Sequence, residues 1–146
     1  MRAAWMIPTA CGDSLMQKSE FAPALAELRA GAKHSHWMWF IFPQLTSLGR
    51  SATAKYYGIN SLDEARAYLA HPILGPRLRQ SVQMLIPWAG TRSAEQILGA
   101  VDAMKLRSSL TLFDLASPAD VYAQALNAFF GGEPDQRTLA LMGSAR

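Results

Sequence analysis

The sequence predicts an all-α protein, a single compact domain of about seven short helices. Apolar residues recur three and four positions apart along most of the chain, which is the spacing of a buried helix face. Serine or aspartate marks successive helix starts, and glycine or proline marks the ends. No segment alternates apolar with polar residues, and there is no Asn-Gly or Asp-Gly hairpin turn. Residues 19–146 are assigned to this domain and residues 1–18 to a divergent N-terminal arm.

The first helix is predicted over residues 19–30. Phe21, Leu25 and Leu28 lie at helical spacing, and Gly31 is suited to end the helix because it tolerates a left-handed backbone. An aromatic segment follows, which we define as residues 33–44, with the sequence KHSHWMWFIFPQ.

A short buried helix is predicted within the aromatic segment, over residues 35–42, and Pro43 ends it. The apolar residues at spacing i, i+3 and i+4 are Trp37, Phe40 and Ile41. A buried strand is the alternative, because so short an apolar run does not determine the period.

The remaining helices follow from their boundary residues. Ser61 and Ser93 each precede an acid or amide three positions on, which is the capping-box pattern. Ser117 is predicted to cap a helix whose first residue is Pro118, and Asp135 is predicted to cap the last one. These helices are predicted over residues 62–70, 72–86, 94–98, 101–115, 118–130 and 136–142.

Charge and composition limit the classes of partner. The net charge is +3 and the pI is near 9.3, yet the chain has no run of Lys and Arg and no nucleic-acid-binding motif. No apolar run is long enough to span a membrane. The single Cys11 forms no internal disulfide and suits the reducing cytoplasm, where we expect the protein to reside. The charge alone is as compatible with a small anionic ligand as with DNA or RNA; because no nucleic-acid motif is present, the predicted partner is a small anionic ligand, with no membrane.

The N-terminus permits two interpretations. Residues 1–12 faintly resemble a signal peptide, although their apolar part is short and interrupted by Pro8. The alternative is a loose arm that docks Trp5 and Met6 on the core of the domain.

Polar side chains within the aromatic segment point to a site. A segment with so many large apolar side chains must be buried. The polar side chains of His36 and Gln44 then need hydrogen-bond partners or a ligand. His36 is a candidate general acid or base, since histidine titrates near neutral pH, or else a buried histidine bonded to a helix terminus. His34 and His36 lack a third ligand at metal-binding spacing, so no metal site is predicted.

A second set of polar residues lies within an apolar helix, at residues 102–111. Asp102, Lys105 and Ser109 share one face at spacing i, i+3 and i+7. A lysine with nearby hydroxyls can hold a phosphate or carboxylate, with Asp102 tuning the lysine or acting as a base. The alternative is an exposed ion pair on a helix that packs closely through its serines. Ser109 lacks the motif of a nucleophilic serine.

Several segments resemble a bacterial family known only as domain of unknown function 1810, which has sometimes carried a calpastatin label. The matching segments are residues 35–44, 48–51, 57–59, 65–69, 71–78, 102–113 and 132–139. The resemblance covers roughly residues 21–141 and implies a single all-α domain, but it implies no activity. The aromatic opening that is usual in the family is not recognisable in residues 1–18, and His34 inherits no role from the resemblance.

The leading hypothesis is a pocket between the aromatic segment and residues 102–111 that binds an anionic, planar ligand such as a nucleotide or an ADP-ribose derivative. The candidate catalytic residues are His36, Asp102 and Lys105. The candidate ligand-binding residues are Trp37, Trp39, Gln44, Arg50, Ser51, Tyr57, Arg77, Ser108, Ser109 and Thr111. Trp37, Trp39 or Tyr57 would stack on the ring, and Lys105, Arg50 or Arg77 would hold the charge. No cofactor is predicted.

Two alternatives remain open. One is a non-catalytic protein-interaction module in which the aromatic segment is simply core. The other is an N-glycosidase-like enzyme acting on a nucleotide sugar, because residues 71–78 resemble nucleotide-sugar N-glycosidases of the NADAR type. That second resemblance comes without an assignable catalytic glutamate.

Overall fold

Helices build the fold, as the sequence predicts. The computed structural model describes residues 15–48 and 58–144, which form eight α-helices and no strand. The helices are α1 (Leu15–Ala30), α2 (Met38–Ile41), α3 (Leu62–Ala70), α4 (Leu74–Leu85), α5 (Ala94–Leu98), α6 (Ala100–Ala116), α7 (Val121–Phe130) and α8 (Gln136–Ser144). Short 3-10 turns occupy Thr46–Leu48 and Ile86–Trp88. None of these helices is long and apolar enough to cross a membrane.

Helix α6 is the central element. It packs against α3, α5, α7 and α8, and most of its C-terminal two-thirds is buried. Phe113 of α6 lies between two tyrosine rings, with centroid distances of 5.4 Å to Tyr68 and 5.9 Å to Tyr122. These aromatic contacts join α6 to α3 and α7. The aromatic segment packs elsewhere, through α2 against α1 and α4.

The two predicted capping boxes have different outcomes. At α5 both halves are present, because the Ser93 side chain accepts the Gln96 N–H and the Gln96 side chain accepts the Ser93 N–H. At α3 the Ser61 hydroxyl accepts the Glu64 N–H at 3.1 Å, but the Glu64 carboxylate accepts the N–H of Asn60 instead of closing the box. The start of each helix is nevertheless where the sequence places it.

The predicted start of α7 is wrong. Ser117 ends α6, since its N–H still bonds to the Phe113 carbonyl at 2.9 Å. The chain then turns through Ala119, whose φ of 58° is left-handed, and Asp120 caps α7 by accepting the Val121 N–H at 2.7 Å. Asp120 outcompetes Ser117 as the cap because it also contacts α4, which the sequence does not reveal.

Other boundaries also differ from the prediction, and α1 begins at Leu15 rather than at residue 19. Helix α4 begins at Leu74 rather than at residue 72, because the ring Nδ1 of His71 accepts the N–H groups of Ile73 and Leu74, both at 3.1 Å. Only Met38–Ile41 of the aromatic segment is helical, a single turn within the predicted 35–42. The rest of the segment is held by the side chain of Glu27 and by long-range backbone hydrogen bonds, from Lys33 N–H to the Ile97 carbonyl at 2.8 Å and from Ile59 N–H to the Gln44 carbonyl at 2.9 Å.

Candidate ligand-binding site

Glu27 fixes the aromatic segment to the end of α1. Its carboxylate accepts hydrogen bonds from the backbone N–H of His34 at 2.6 Å, the N–H and hydroxyl of Ser35 at 3.0 and 2.6 Å, and the indole N–H of Trp37 at 3.0 Å. Burial alone would raise the pKa of Glu27, but these four hydrogen bonds outweigh it and lower the pKa to about 2. The carboxylate is therefore ionised at neutral pH and stays bonded to the segment.

Lys33 and Lys105 share one carboxylate. Asp102 Oδ2 lies 2.8 Å from Lys33 Nζ, and Asp102 Oδ1 lies 3.5 Å from Lys105 Nζ. Each ammonium group also faces an indole ring, with Lys33 Nζ 5.2 Å from the Trp37 centroid and Lys105 Nζ 5.3 Å from the Trp39 centroid. Two positive charges and one negative charge therefore meet beside two aromatic rings, leaving one positive charge in excess.

A small pocket lies beside Lys105. It is lined by Met38, Trp39, Phe42, Pro43, Gln44 and Lys105, and its volume of about 10 Å³ is roughly that needed for one water molecule. We define the Lys105 cluster as Lys33, Trp39, Gln44, Asp102 and Lys105. The contact expected between the aromatic segment and residues 102–111 is thus present, through Trp39 and Gln44 on one side and Lys105 on the other.

Two predicted site residues of the aromatic segment lie outside this pocket. Trp37 is 0% exposed, with its N–H bonded to Glu27, so no face of its ring is open to a ligand. His36 is exposed, which contradicts its alternative interpretation as a buried histidine, and it is not among the residues that line the pocket. Its catalytic assignment stays a prediction.

The hydroxyl groups of α6 are all buried. Ser108 donates to the Met104 carbonyl at 3.2 Å. Thr111 donates to the Arg107 carbonyl at 2.8 Å and accepts the N–H of Asp135 at 2.8 Å, which ties α6 to the start of α8. Ser109 is 1% exposed, and among the described residues its hydroxyl has no hydrogen-bond partner. These contacts serve the helix and its packing, and none of the three residues lines the pocket at Lys105.

The remaining predicted residues are elsewhere. The Arg77 guanidinium lies over the Phe21 ring, 4.9 Å from its centroid, where α4 meets α1. Arg50, Ser51 and Tyr57 lie outside the described residues. Within the described part of the chain, no group of three His, Cys, Asp or Glu side chains is placed to hold a metal ion.

The sequence does not reveal the roles of two charged residues that shape the site, nor the burial of a third elsewhere in the fold. Glu27 lies near the end of α1 and Lys33 lies just after it. Their roles are not evident from the sequence, because only the folded chain brings them to Trp37 and Asp102. Glu64 was interpreted as a capping residue, yet its carboxylate is buried, with 3% of the residue exposed, and accepts hydrogen bonds from Asn60. An acid three residues after a serine at a helix start is an ordinary surface pattern, so the sequence carries no signal of that burial.

Comparison with known proteins places the chain in a family. The pattern of a family described as "Protein of unknown function (DUF1810)" matches residues 14–142. The chain is also similar to the crystal structure of the conserved hypothetical protein Rv1873 from Mycobacterium tuberculosis, with 42% sequence identity, a TM-score of 0.85, and 96% of each chain covered. No curated protein matches the sequence.

Proposed function

The chain belongs to the DUF1810 family of proteins of unknown function, and we propose that it binds a small anionic molecule with a planar ring, such as a nucleotide, at the Lys105 cluster. One observation carries the proposal: Lys105 Nζ lies 5.3 Å from the centroid of the partly exposed Trp39 ring, beside Gln44. A cation, an aromatic face and an amide are the groups that recognise the phosphate, the ring face and the ring edge of a nucleotide.

The charges favour an anion, and Lys105 is the group that binds it. Lys33 is held at 2.8 Å from Asp102 and its side chain is 12% exposed, whereas Lys105 lies at 3.5 Å and its side chain is 27% exposed. Breaking this partly buried i, i+3 ion pair, whose atoms lie 3.5 Å apart, costs about 1 kcal/mol. A charge-assisted hydrogen bond to a phosphate or carboxylate is stronger than that. Lys105 therefore exchanges its carboxylate partner for the ligand while Lys33 keeps Asp102 neutralised.

The ring binds by taking the place of the lysine over Trp39. A volume of about 10 Å³ admits no ring, so Lys105 must leave the indole face before a base can stack there. A cation over a partly exposed ring contributes about 1 kcal/mol, whereas stacking of a nucleobase on an aromatic side chain contributes about 1–3 kcal/mol. Replacing the lysine by a nucleobase over Trp39 is thus favourable. The same movement frees Lys105 to bind the anion, so ring stacking and anion binding occur together.

The test is a calorimetric titration with AMP, adenosine and inorganic phosphate. We expect AMP to bind more tightly than adenosine or phosphate alone, because only AMP engages both the ring and the lysine. Lys105→Gln removes the charge but keeps the length of the side chain, and we expect it to weaken AMP binding about tenfold, the value of one lost charge-assisted hydrogen bond.

Arg137→Gln is the matched control, since it makes the same change of charge at an exposed position of α8. We expect it to leave AMP affinity unchanged. Equal weakening by the two variants would show a general effect of net charge and contradict the proposed site. Failure of AMP to bind at all would also contradict it and would favour the interaction-module alternative.

A further inference from the structure

A second and larger cavity, which we call the Arg66 cleft, opens where α3, α4 and the α6–α7 junction meet. Its volume is about 470 Å³, within the range of sites that bind small molecules. The lining residues that matter below are Arg66, Ala70, Gly75, Arg79, Ser117 and Tyr122. None of the residues that line it belongs to the Lys105 cluster.

One wall of the cleft is held rigid by a bidentate ion pair. Arg79 donates to both carboxylate oxygens of Asp120, at 2.7 and 2.6 Å. The same carboxylate caps α7 and accepts the Ser117 hydroxyl at 3.0 Å. These hydrogen bonds, foremost that from Arg79, hold the pKa of Asp120 well below its usual range, so the pair stays charged across the neutral range. Arg79 is therefore pre-positioned, and its remaining N–H groups are available at the cleft.

The opposite wall carries a weakly held cation. Arg66 pairs with Asp63 at 3.4 Å, and both side chains are exposed, at 55% and 89%. An ion pair of this kind contributes little, so the guanidinium reorients toward a better anion without a significant penalty. An arginine is suited to the bidentate recognition of a phosphate. The two guanidinium groups thus border one cavity, one fixed by Asp120 and the other free to turn.

The base of the cleft is formed by small and apolar groups. Ala70 and Ala116 leave the space open because their side chains are small, and the absence of a side chain at Gly75 lets α4 approach the backbone of Leu69 in α3. The Tyr122 ring lies under the Arg79 guanidinium, 6.0 Å from it, and Leu69 adds apolar surface. Burial raises the pKa of Tyr122 to about 12, so its hydroxyl stays protonated. The floor of the cleft therefore suits an apolar or aromatic part of a ligand better than a second charged group.

We propose that the Arg66 cleft is a second binding site, for a small molecule that combines a phosphate monoester with a compact apolar or aromatic body. The phosphate lies between Arg66 and Arg79, and the apolar or aromatic part lies against Leu69, Ala70 and Ala116. Asp120 and Arg79 neutralise each other, so the charge that attracts the phosphate is that of Arg66, and Arg79 contributes its remaining N–H donors. This site is independent of the nucleotide site proposed at Lys105.

The test uses phenyl phosphate as the probe, with inorganic phosphate and phenol as its separated halves, followed through backbone amide signals by NMR. We expect phenyl phosphate to bind at least fivefold more tightly than either half, and the largest shifts to fall on the amides of Ala70, Gly75 and Ser117. Arg66→Gln should weaken the binding of phenyl phosphate about tenfold. Ala70→Leu should abolish binding by filling the cleft at an exposed position where the fold tolerates it.

Arg29→Gln is the matched control, an exposed position on α1 with the same change of charge. It should leave the affinity for phenyl phosphate, measured from the amide signals of Ala70, Gly75 and Ser117, unchanged. The proposal is overturned if phenyl phosphate binds no more tightly than phosphate, if Arg66→Gln and Arg29→Gln weaken it equally, or if the shifts map to Trp39 and Lys105 instead.

Discussion

Replacing Gly75 by alanine is expected to lower the free energy of unfolding by about 3 kcal/mol, the upper end of the cost of overpacking a core. A Cβ at this position would lie 2.1 Å from the carbonyl oxygen of Leu69 and 2.9 Å from its carbon. Both atoms are backbone, so no rotamer change relieves the overlap, and α3 and α4 must separate. In the absence of that contact the same substitution would stabilise α4 by up to about 1 kcal/mol, because alanine favours a helix interior more than glycine does.

The measurement is urea unfolding followed by circular dichroism. Gly90→Ala is the control, because Gly90 has a φ of 85° and an added Cβ would meet nothing within 4 Å. Its cost should be limited to the backbone strain of a left-handed residue, about 1–2 kcal/mol. A Gly75→Ala protein as stable as wild type, or more stable, would contradict the close approach of α3 to α4, which also shapes the base of the Arg66 cleft.

Replacing Glu27 by alanine is also expected to lower the free energy of unfolding by about 3 kcal/mol, because each buried donor that loses a charged acceptor costs about 1–3 kcal/mol. The substitution removes four hydrogen bonds at once and leaves the indole N–H of the fully buried Trp37 without its acceptor. The aromatic segment then loses its side-chain hydrogen bonds to α1 and is held there by packing alone. We expect a lower urea midpoint, and Trp37→Phe combined with Glu27→Ala should cost less than the sum of the two single changes.

The contribution of Glu27 also depends on pH in a defined direction. Its pKa is lowered from 4.5 to about 2 by folding, so the folded state favours the ionised form. The stabilisation is fully present above about pH 4.5 and is lost as pH falls from 4.5 toward 2. Between pH 5 and pH 3, wild-type stability should therefore fall more steeply than that of Glu27→Gln, by about 1 kcal/mol once solvent screening is considered. Parallel curves for the two proteins would contradict the hydrogen-bonded carboxylate.

The helices were predictable where the information is local. Ser93 with Gln96, Asp135 before α8, and Gly131 after α7 act through hydrogen bonds or backbone freedom within a few residues, so their patterns identify the helix ends correctly. The start of α7 was not predictable, because Ser117 and Asp120 are both good caps and the choice depends on Arg79, a residue distant in sequence. Tertiary contacts decide between local signals of equal strength.

The candidate site was also predictable only in part, because local residue patterns reveal some of its members and tertiary contacts decide the others. The polar residues set in apolar surroundings, Gln44 and Lys105, indicated that the aromatic segment contacts α6, and they line one pocket. Trp37 and Trp39 are indistinguishable by composition, but one is core and the other is partly exposed, since only Trp37 reaches Glu27. Which ring faces solvent depends on the direction of the chain after α1, and helical spacing over four residues does not fix that direction.

The most direct test of the Lys105 cluster is the indole N–H spectrum of the protein during a titration with AMP. The indole N–H groups of Trp37 and Trp88 are bonded to Glu27 and to the Leu28 carbonyl, so they serve as internal controls. We predict that the Trp39 signal, assigned through Trp39→Phe, shifts progressively with AMP while those of Trp37 and Trp88 stay in place. We also predict that the shift is lost in Lys105→Gln. A Trp39 signal that does not move at saturating AMP would contradict the proposed site.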